Sequence, residues 1–198
     1  MEDRHWIVRL ATVNSVTDIC NYVGRHADDV RAAISAPEIV QKVVSRLGDP
    51  DVDVREAAVR SVAELLGHDD VREAIAAQEL QVLSLLCNPV DNVRLAAVTF
   101  TAEILEYDDV RSTIAALQII QSVVSQMADP DWCVRVAAVK CVAELWKHDD
   151  VRFAITAAEV VEKVVFLLSD PDEEVREVAV KLVAEVSKYG KRTALRRP

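Results

Sequence analysis

The sequence predicts an all-α, right-handed superhelix of tandem repeats. Three observations lead there. The tetrapeptide Asp-Asp-Val-Arg begins at Asp28, Asp69, Asp108 and Asp149, spaced 41, 39 and 41 residues apart. Self-similarity at a fixed period of this length is the mark of a stacked array. Three further markers follow each copy in the same order. They are Asp49-Pro50, Asn88-Pro89, Asp129-Pro130 and Asp170-Pro171; then Val-Arg ending at Arg55, Arg94, Arg135 and Arg176; then Ala-Glu with Glu64, Glu103, Glu144 and Glu185. Finally, the chain is 51% hydrophobic but 5% aromatic, with only four Gly and six Pro. Small and medium apolar side chains suit close helix packing, and so few turn formers leave little room for a β-sandwich.

Each unit divides into three helical stretches. The Asp-Asp pair is placed to cap a short first helix, its carboxylates facing unpaired N–H groups at the positive dipole end. A second helix follows, from Pro37 to Leu47 in the first unit, with Ile39, Val40, Val43, Val44 and Leu47 along one face. Pro37 suits a first helical turn, and Pro50 breaks the chain. The third helix runs from Val52 to about Leu66 and is apolar over a broad face. Such a helix must be covered on more than one side, which stacking provides.

The predicted solenoid spans residues 1–189. Residues 5–22 form a half-repeat, because Val8-Arg9-Leu10-Ala11 matches Val93-Arg94-Leu95-Ala96, and full repeats occupy 28–68, 69–107, 108–148 and 149–189. The second unit is two residues short between its markers, so its second helix or the preceding turn is expected to be trimmed, with Asn88 restoring register. Residues 190–198 read as a disordered basic tail.

These units resemble armadillo and HEAT repeats over residues 5 to about 189. The short–long–long helix plan looks like armadillo, and Leu-x-Asp-Pro-Asp-x-x-Val-Arg, as in Leu168 to Arg176, looks like HEAT. The HEAT resemblance implies a ladder of hydrogen bonds between neighbouring repeats from Asp49/Arg55, Asp129/Arg135 and Asp170/Arg176, with Asn88/Arg94 substituting an amide. The armadillo resemblance implies a concave groove lined by third helices. There the family's backbone-clamping Asn is replaced by Asp18, Glu64, Glu103, Glu144 and Glu185, and its Trp four residues earlier by Asn14, Arg60, Thr99, Lys140 and Lys181. Instead, Arg60/Glu64, Lys140/Glu144 and Lys181/Glu185 are spaced to pair at i,i+4.

Trp6, Val52, Asp91, Trp132 and Glu173 fall in one column at the start of the third helices. A Trp where other units hold Asp and Glu is expected to be exposed, and exposed Trp rimmed by charge suits a binding surface. The candidate partner-binding residues are Trp6, Leu10, Leu95, Trp132 and Val136, flanked by Glu103, Lys140 and Glu144. Trp146 aligns with Leu66 and Leu105 and is expected in the core; Phe153 is a minor exposed candidate.

The reading is of a non-catalytic scaffold for a protein or peptide. Its alternative is a structural or self-associating solenoid segment. Net charge is −10, and residues 188–198 carry five positive charges, leaving −15 on residues 1–187. Such a body attracts basic partners and argues against nucleic acid. No apolar run approaches a membrane span. Cys20, Cys87, Cys133 and Cys141 lack metal-ligand spacing and read as reduced thiols, which predicts a cytoplasmic protein, the nucleus being the alternative that the basic tail raises. His68-Asp69-Asp70 and His148-Asp149-Asp150 sit at equivalent turns, but other units supply no further histidine. No cofactor, metal or catalytic set is predicted. Phe166-Leu167 stands where other second helices carry Ser45-Arg46 and Ser125-Gln126, so the last repeat offers an apolar face for a homo-oligomer.

Overall fold

The computed structural model describes residues 5–23, 36–65, 72, 74–75, 79–111, 114–154 and 157–194. They form helices α1 (Trp6–Val23), α2 (Pro37–Ser45), α3 (Val52–Leu65), α4 (Glu79–Leu86), α5 (Asp91–Ile104), α6 (Asp108–Arg111), α7 (Ile114–Gln126), α8 (Trp132–Leu145), α9 (Asp149–Ala154), α10 (Ala157–Leu167) and α11 (Glu173–Ala194), with no strand among the described residues.

The third helices stack in one layer. α1 packs on α3, α3 on α5, α5 on α8 and α8 on α11. A second layer is formed by α2, α4 and α7, and α10 packs under α11. Small residues make the first layer close. Ala57, Ala58, Ala96, Ala97, Ala138 and Ala179 are all buried, so neighbouring helices meet at backbone distance. At the first junction Ser61 Oγ donates to Val13 O at 3.3 Å and lies 2.6 Å from Thr17 Oγ1. Between the layers runs one continuous core that includes Leu47, Leu65, Leu86, Phe100, Ile104, Met127, Leu167 and Leu182.

The turn before each third helix has a division of labour. In three units the first Asp of Asp-Pro-Asp turns the chain: Asp49 Oδ1 accepts from Asp51 N–H at 3.0 Å, Asp129 from Asp131 at 2.9 Å and Asp170 from Asp172 at 3.0 Å. The second Asp caps the helix, Asp51, Asp131 and Asp172 each accepting from the N–H three residues on at 3.3, 3.1 and 3.2 Å. Unit two keeps the turn, with Asn88 Oδ1 accepting from Val90 N–H at 2.9 Å, but its N-cap is Val90, which has no side-chain acceptor.

Several expectations need correction. The α-helical part of the second helix ends at Ser45, and Arg46–Gly48 is a 3-10 turn. Gly48 packs closely there: a Cβ would lie 3.1 Å from Leu85 Cδ2 of the next unit, which would have to shift by a few tenths of an ångström. Asp108 and Asp149 open α6 and α9 from inside the first turn and pair with Arg111 and Arg152 three residues on. The helix α11 continues through Gly190 as far as Ala194, into the segment expected to be a disordered tail. Unit two's second helix is described as Glu79–Leu86, and the residues just before it, where the trimming was expected, lie outside the described residues. The first helix of unit one, Phe153's side chain and His68 lie outside the described residues.

Candidate functional site

Arginines pin the stack. Arg9 Nε and Nη2 donate to Asp49 Oδ2 and Oδ1 at 2.7 and 2.8 Å, and Arg94 grips Asp129 in the same fork at 2.6 and 2.8 Å. Arg135 Nη2 donates to Asp170 at 2.8 Å. Each pair joins one unit to the next. The other end of the guanidinium holds its own turn: Nη1 of Arg55, Arg94, Arg135 and Arg176 donates to the carbonyl six residues back at 2.6, 2.9, 2.8 and 2.7 Å. The expected ladder is therefore present at three junctions, its rungs running from Arg to the following unit's Asp, while no rung from Arg55 to Asn88 forms among the described residues. Burial pushes the Asp49 and Asp170 carboxyls up, but the hydrogen bonds from Arg9 and Arg135, the turn N–H groups and the nearby guanidinium charges outweigh it, leaving both below the ordinary value of 3.8. Arg94 is raised, first by its bond to Asp129.

A second ladder went unread in the sequence. Arg111 Nη1 donates to Leu105 O and Glu106 O, both at 2.6 Å, and its Nε reaches Asp150 of the next unit at 3.3 Å. Arg152 likewise donates to Trp146 O. The signal was the invariant spacing within Asp-Asp-Val-Arg, which the capping role of the Asp pair had seemed to exhaust.

The tryptophan column is where the sequence placed it. Trp6, Val52, Asp91, Trp132 and Glu173 are the first residues of α1, α3, α5, α8 and α11. All five are exposed, Trp6 at 42% and Trp132 at 43%. They do not form one patch. Three helix spacings of about 8–10 Å separate the two indoles. Leu10 and Leu95 are half-buried against the core. Val136 departs from expectation: it is 6% exposed, because α5 and α11 pack α8 from both sides, so it offers no contact surface.

The charged flank also rearranges. Lys140 Nζ donates to Glu174 of the next unit at 3.1 Å, and Glu144 pairs with Lys147. Glu185 pairs with Lys188 at 2.6 Å. The expected Lys140/Glu144 and Lys181/Glu185 pairs thus give way to contacts between units and at i,i+3, and Arg60/Glu64 forms no ion pair among the described residues. Burial, with the Glu106 charge nearby, pushes the Glu103 carboxyl up.

Between α3 and α5 lies a groove of about 580 Å³, lined by Val52, Arg55, Glu56, Val59, Arg60 and Ala63 on one side and Asn92, Leu95, Ala96, Thr99 and Glu103 on the other. It brings together Leu95 and Glu103 of the predicted set. Trp146 is buried at 2% as expected. Cys87, Cys133 and Cys141 are free, and burial pushes the Cys141 thiol up to about 12. His148 is lowered by burial and by the Arg111 charge. Among the described residues no three His, Cys, Asp or Glu converge as metal ligands, and no helix is long and apolar enough to cross a membrane.

Comparison with known proteins agrees with this geometry. The HEAT-repeat family model matches residues 39–69. The model for non-SMC mitotic condensation complex subunit 1 matches residues 110–197. The chain has the fold of an armadillo/HEAT-repeat solenoid. A designed armadillo repeat protein in complex with the peptide (KR)4 is similar in structure, with TM-score 0.60 and 18% identity over 91% of this solenoid and 85% of that chain. Importin beta gives TM-score 0.60 and 18% identity over 92% of the solenoid and 24% of its own chain. A microtubule polymerase chain with TOG domain arrays gives 0.62 and 16%, covering 93% and 38%. No curated protein is a significant match.

Proposed function

We propose that this solenoid is a non-catalytic scaffold that holds a protein or peptide partner along the concave surface of its third helices. One observation carries the reading: the layer leaves aligned side chains exposed at the head of every helix, Trp6 and Trp132 among them, above a groove between α3 and α5. Exposed Trp flanked by charge is the composition of binding hot spots. The peptide-bound armadillo design shows a similar fold in that role. The net charge of −10 favours a partner that is basic overall, and we place the protein in the cytoplasm.

The test is Trp132→Ala, with partner capture and melting temperature measured together. Capture should fall while the melting temperature barely moves, since the indole is exposed. A large loss of stability with unchanged capture would make the indole a packing element.

A second reading has its own observation. On α10 Val161, Val165 and Phe166 are exposed, Phe166 at 76%, and Val180 is exposed on α11 beside them. This face suits self-association. Light scattering across a concentration series checks it: a mass that rises for the wild type and not for Phe166→Glu supports it, and a constant monomer mass removes it.

A further inference from the structure

One junction in the first layer lacks what the others have. Arg9, Arg94 and Arg135 each direct a guanidinium edge at the next unit's Asp carboxylate. Arg55 is the equivalent arginine between units one and two, and there the partner position holds Asn88. Asn88 Oδ1 accepts from Val90 N–H, and its second terminal atom is an amide nitrogen, which donates and cannot accept. The two-oxygen fork that Arg9 and Arg94 hold is therefore impossible here, and no hydrogen bond from Arg55 to Asn88 forms among the described residues. Arg55 is 5% exposed, its Nη1 holds Asp49 O and Pro50 O at 2.6 and 3.0 Å, and no carboxylate among the described residues pairs with it.

The same junction lacks a second acid. Lys140 reaches across to Glu174 between units three and four. The equivalent positions between units one and two are Arg60 and Asn92, and no ion pair forms there among the described residues. Amides thus replace two carboxylates, and the groove between α3 and α5 opens at this junction with Arg55, Arg60 and Asn92 in its lining. Its walls are otherwise apolar through Val59 and Leu95. Glu56 offsets one of the two cations. Glu103 sits nine residues past the Arg94 level, about 13 Å along the helix, so it lies well away from Arg55.

We propose that this groove takes a short segment of a protein partner by an Asp or Glu side chain, whose carboxylate occupies the Arg55 fork and faces Arg60, with an adjacent apolar side chain against Val59 and Leu95. The inference rests on the scaffold reading and adds the chemistry of one subsite. A partner basic overall still presents such a segment locally. A planar guanidinium fork suits a carboxylate in two parallel hydrogen bonds, and the site is built already because the neighbouring arginines hold one in the same way.

The experiment selects short random peptides against the wild-type solenoid. Affinities of single peptides are then measured for wild type, Asn88→Asp, Asn92→Glu and Trp132→Ala. Selected peptides should carry Asp or Glu beside an apolar residue, and changing that acid to its amide should weaken binding by about tenfold or more, the scale of a charge-assisted pair. Asn88→Asp should weaken binding equally while raising the melting temperature, because it supplies the missing carboxylate within the chain. Asn92→Glu should also weaken binding by bridging to Arg60. In NMR spectra the Arg55 Nε–H resonance should shift with the acidic peptide and not with its amide form.

Failure to select any peptide, selection of peptides without acids, binding unchanged in Asn88→Asp, or inorganic phosphate competing as well as the peptide would each overturn the proposal. Peptides lost in Trp132→Ala but kept in Asn88→Asp would sink this subsite and leave the scaffold reading standing. Absence of any partner or peptide binding would sink both.

Discussion

A single arginine in each third helix does two jobs. Arg94 fixes its own turn through Asn88 O and its neighbour through Asp129, with the Asp129 carboxylate nearly inaccessible. Removing one partner strands a desolvated charge, which costs far more than an exposed pair is worth. Asp129→Ala should therefore lose about 3–5 kcal/mol of stability in urea unfolding, whereas Lys147→Ala, at an exposed pair, should lose less than about 1 kcal/mol. The ladder also sets an acid limit. Asp49 and Asp170 titrate lower in the fold than the 3.8 of the unfolded chain. Their contribution is complete above that value and is lost as pH falls through the folded values. Glu103 has the opposite sign: its raised carboxyl opposes folding when ionised and relents on protonation. Urea titrations at stepped pH should show stability dropping below about pH 4, and the drop should be shallower in Arg9→Gln.

Helix starts are where one amino acid decides an element. Three third helices begin after an Asp that accepts from the N–H three residues on, and α5 begins after Val90, which cannot. Val90→Asp should stabilise the fold by about 1 kcal/mol, the usual value of a side-chain cap, read from the urea midpoint. Burial separates the two tryptophans of unit three just as sharply. Trp146→Ala should cost about 3–5 kcal/mol, since its bulk fills the core, and Trp132→Ala much less. The positions of the third helices were legible because Trp6, Val52, Asp91, Trp132 and Glu173 share one offset from the Val-Arg marker, and each proves to open a helix. Trp146 was legible because it aligns with leucines. Val136 was not, since a valine at an apolar-periodic position reads the same whether one neighbour or two cover it. The unfilled fork was hidden for a related reason: Asn88 looks like a mild substitution within its own unit, and its consequence falls on Arg55 in the unit before.

Across the whole molecule, successive units bury their flanks on one another, so each contact is local. Ile7, Val8 and Ile19 are exposed on α1, and Val161, Val165, Phe166 and Val180 are exposed on α10 and α11. The third-helix layer between them carries polar and aromatic side chains in register, and it is the face proposed to hold a partner. The most direct measurement places a photo-crosslinking amino acid singly at Thr99 or Lys140 on that layer, and at Gln121 or Glu162 on the second-helix layer, all four being exposed. Irradiation in cell extract should yield discrete protein adducts from Thr99 and Lys140 that diminish in the Trp132→Ala background. Adducts arising from Gln121 and Glu162, with none from the third helices, would contradict the account.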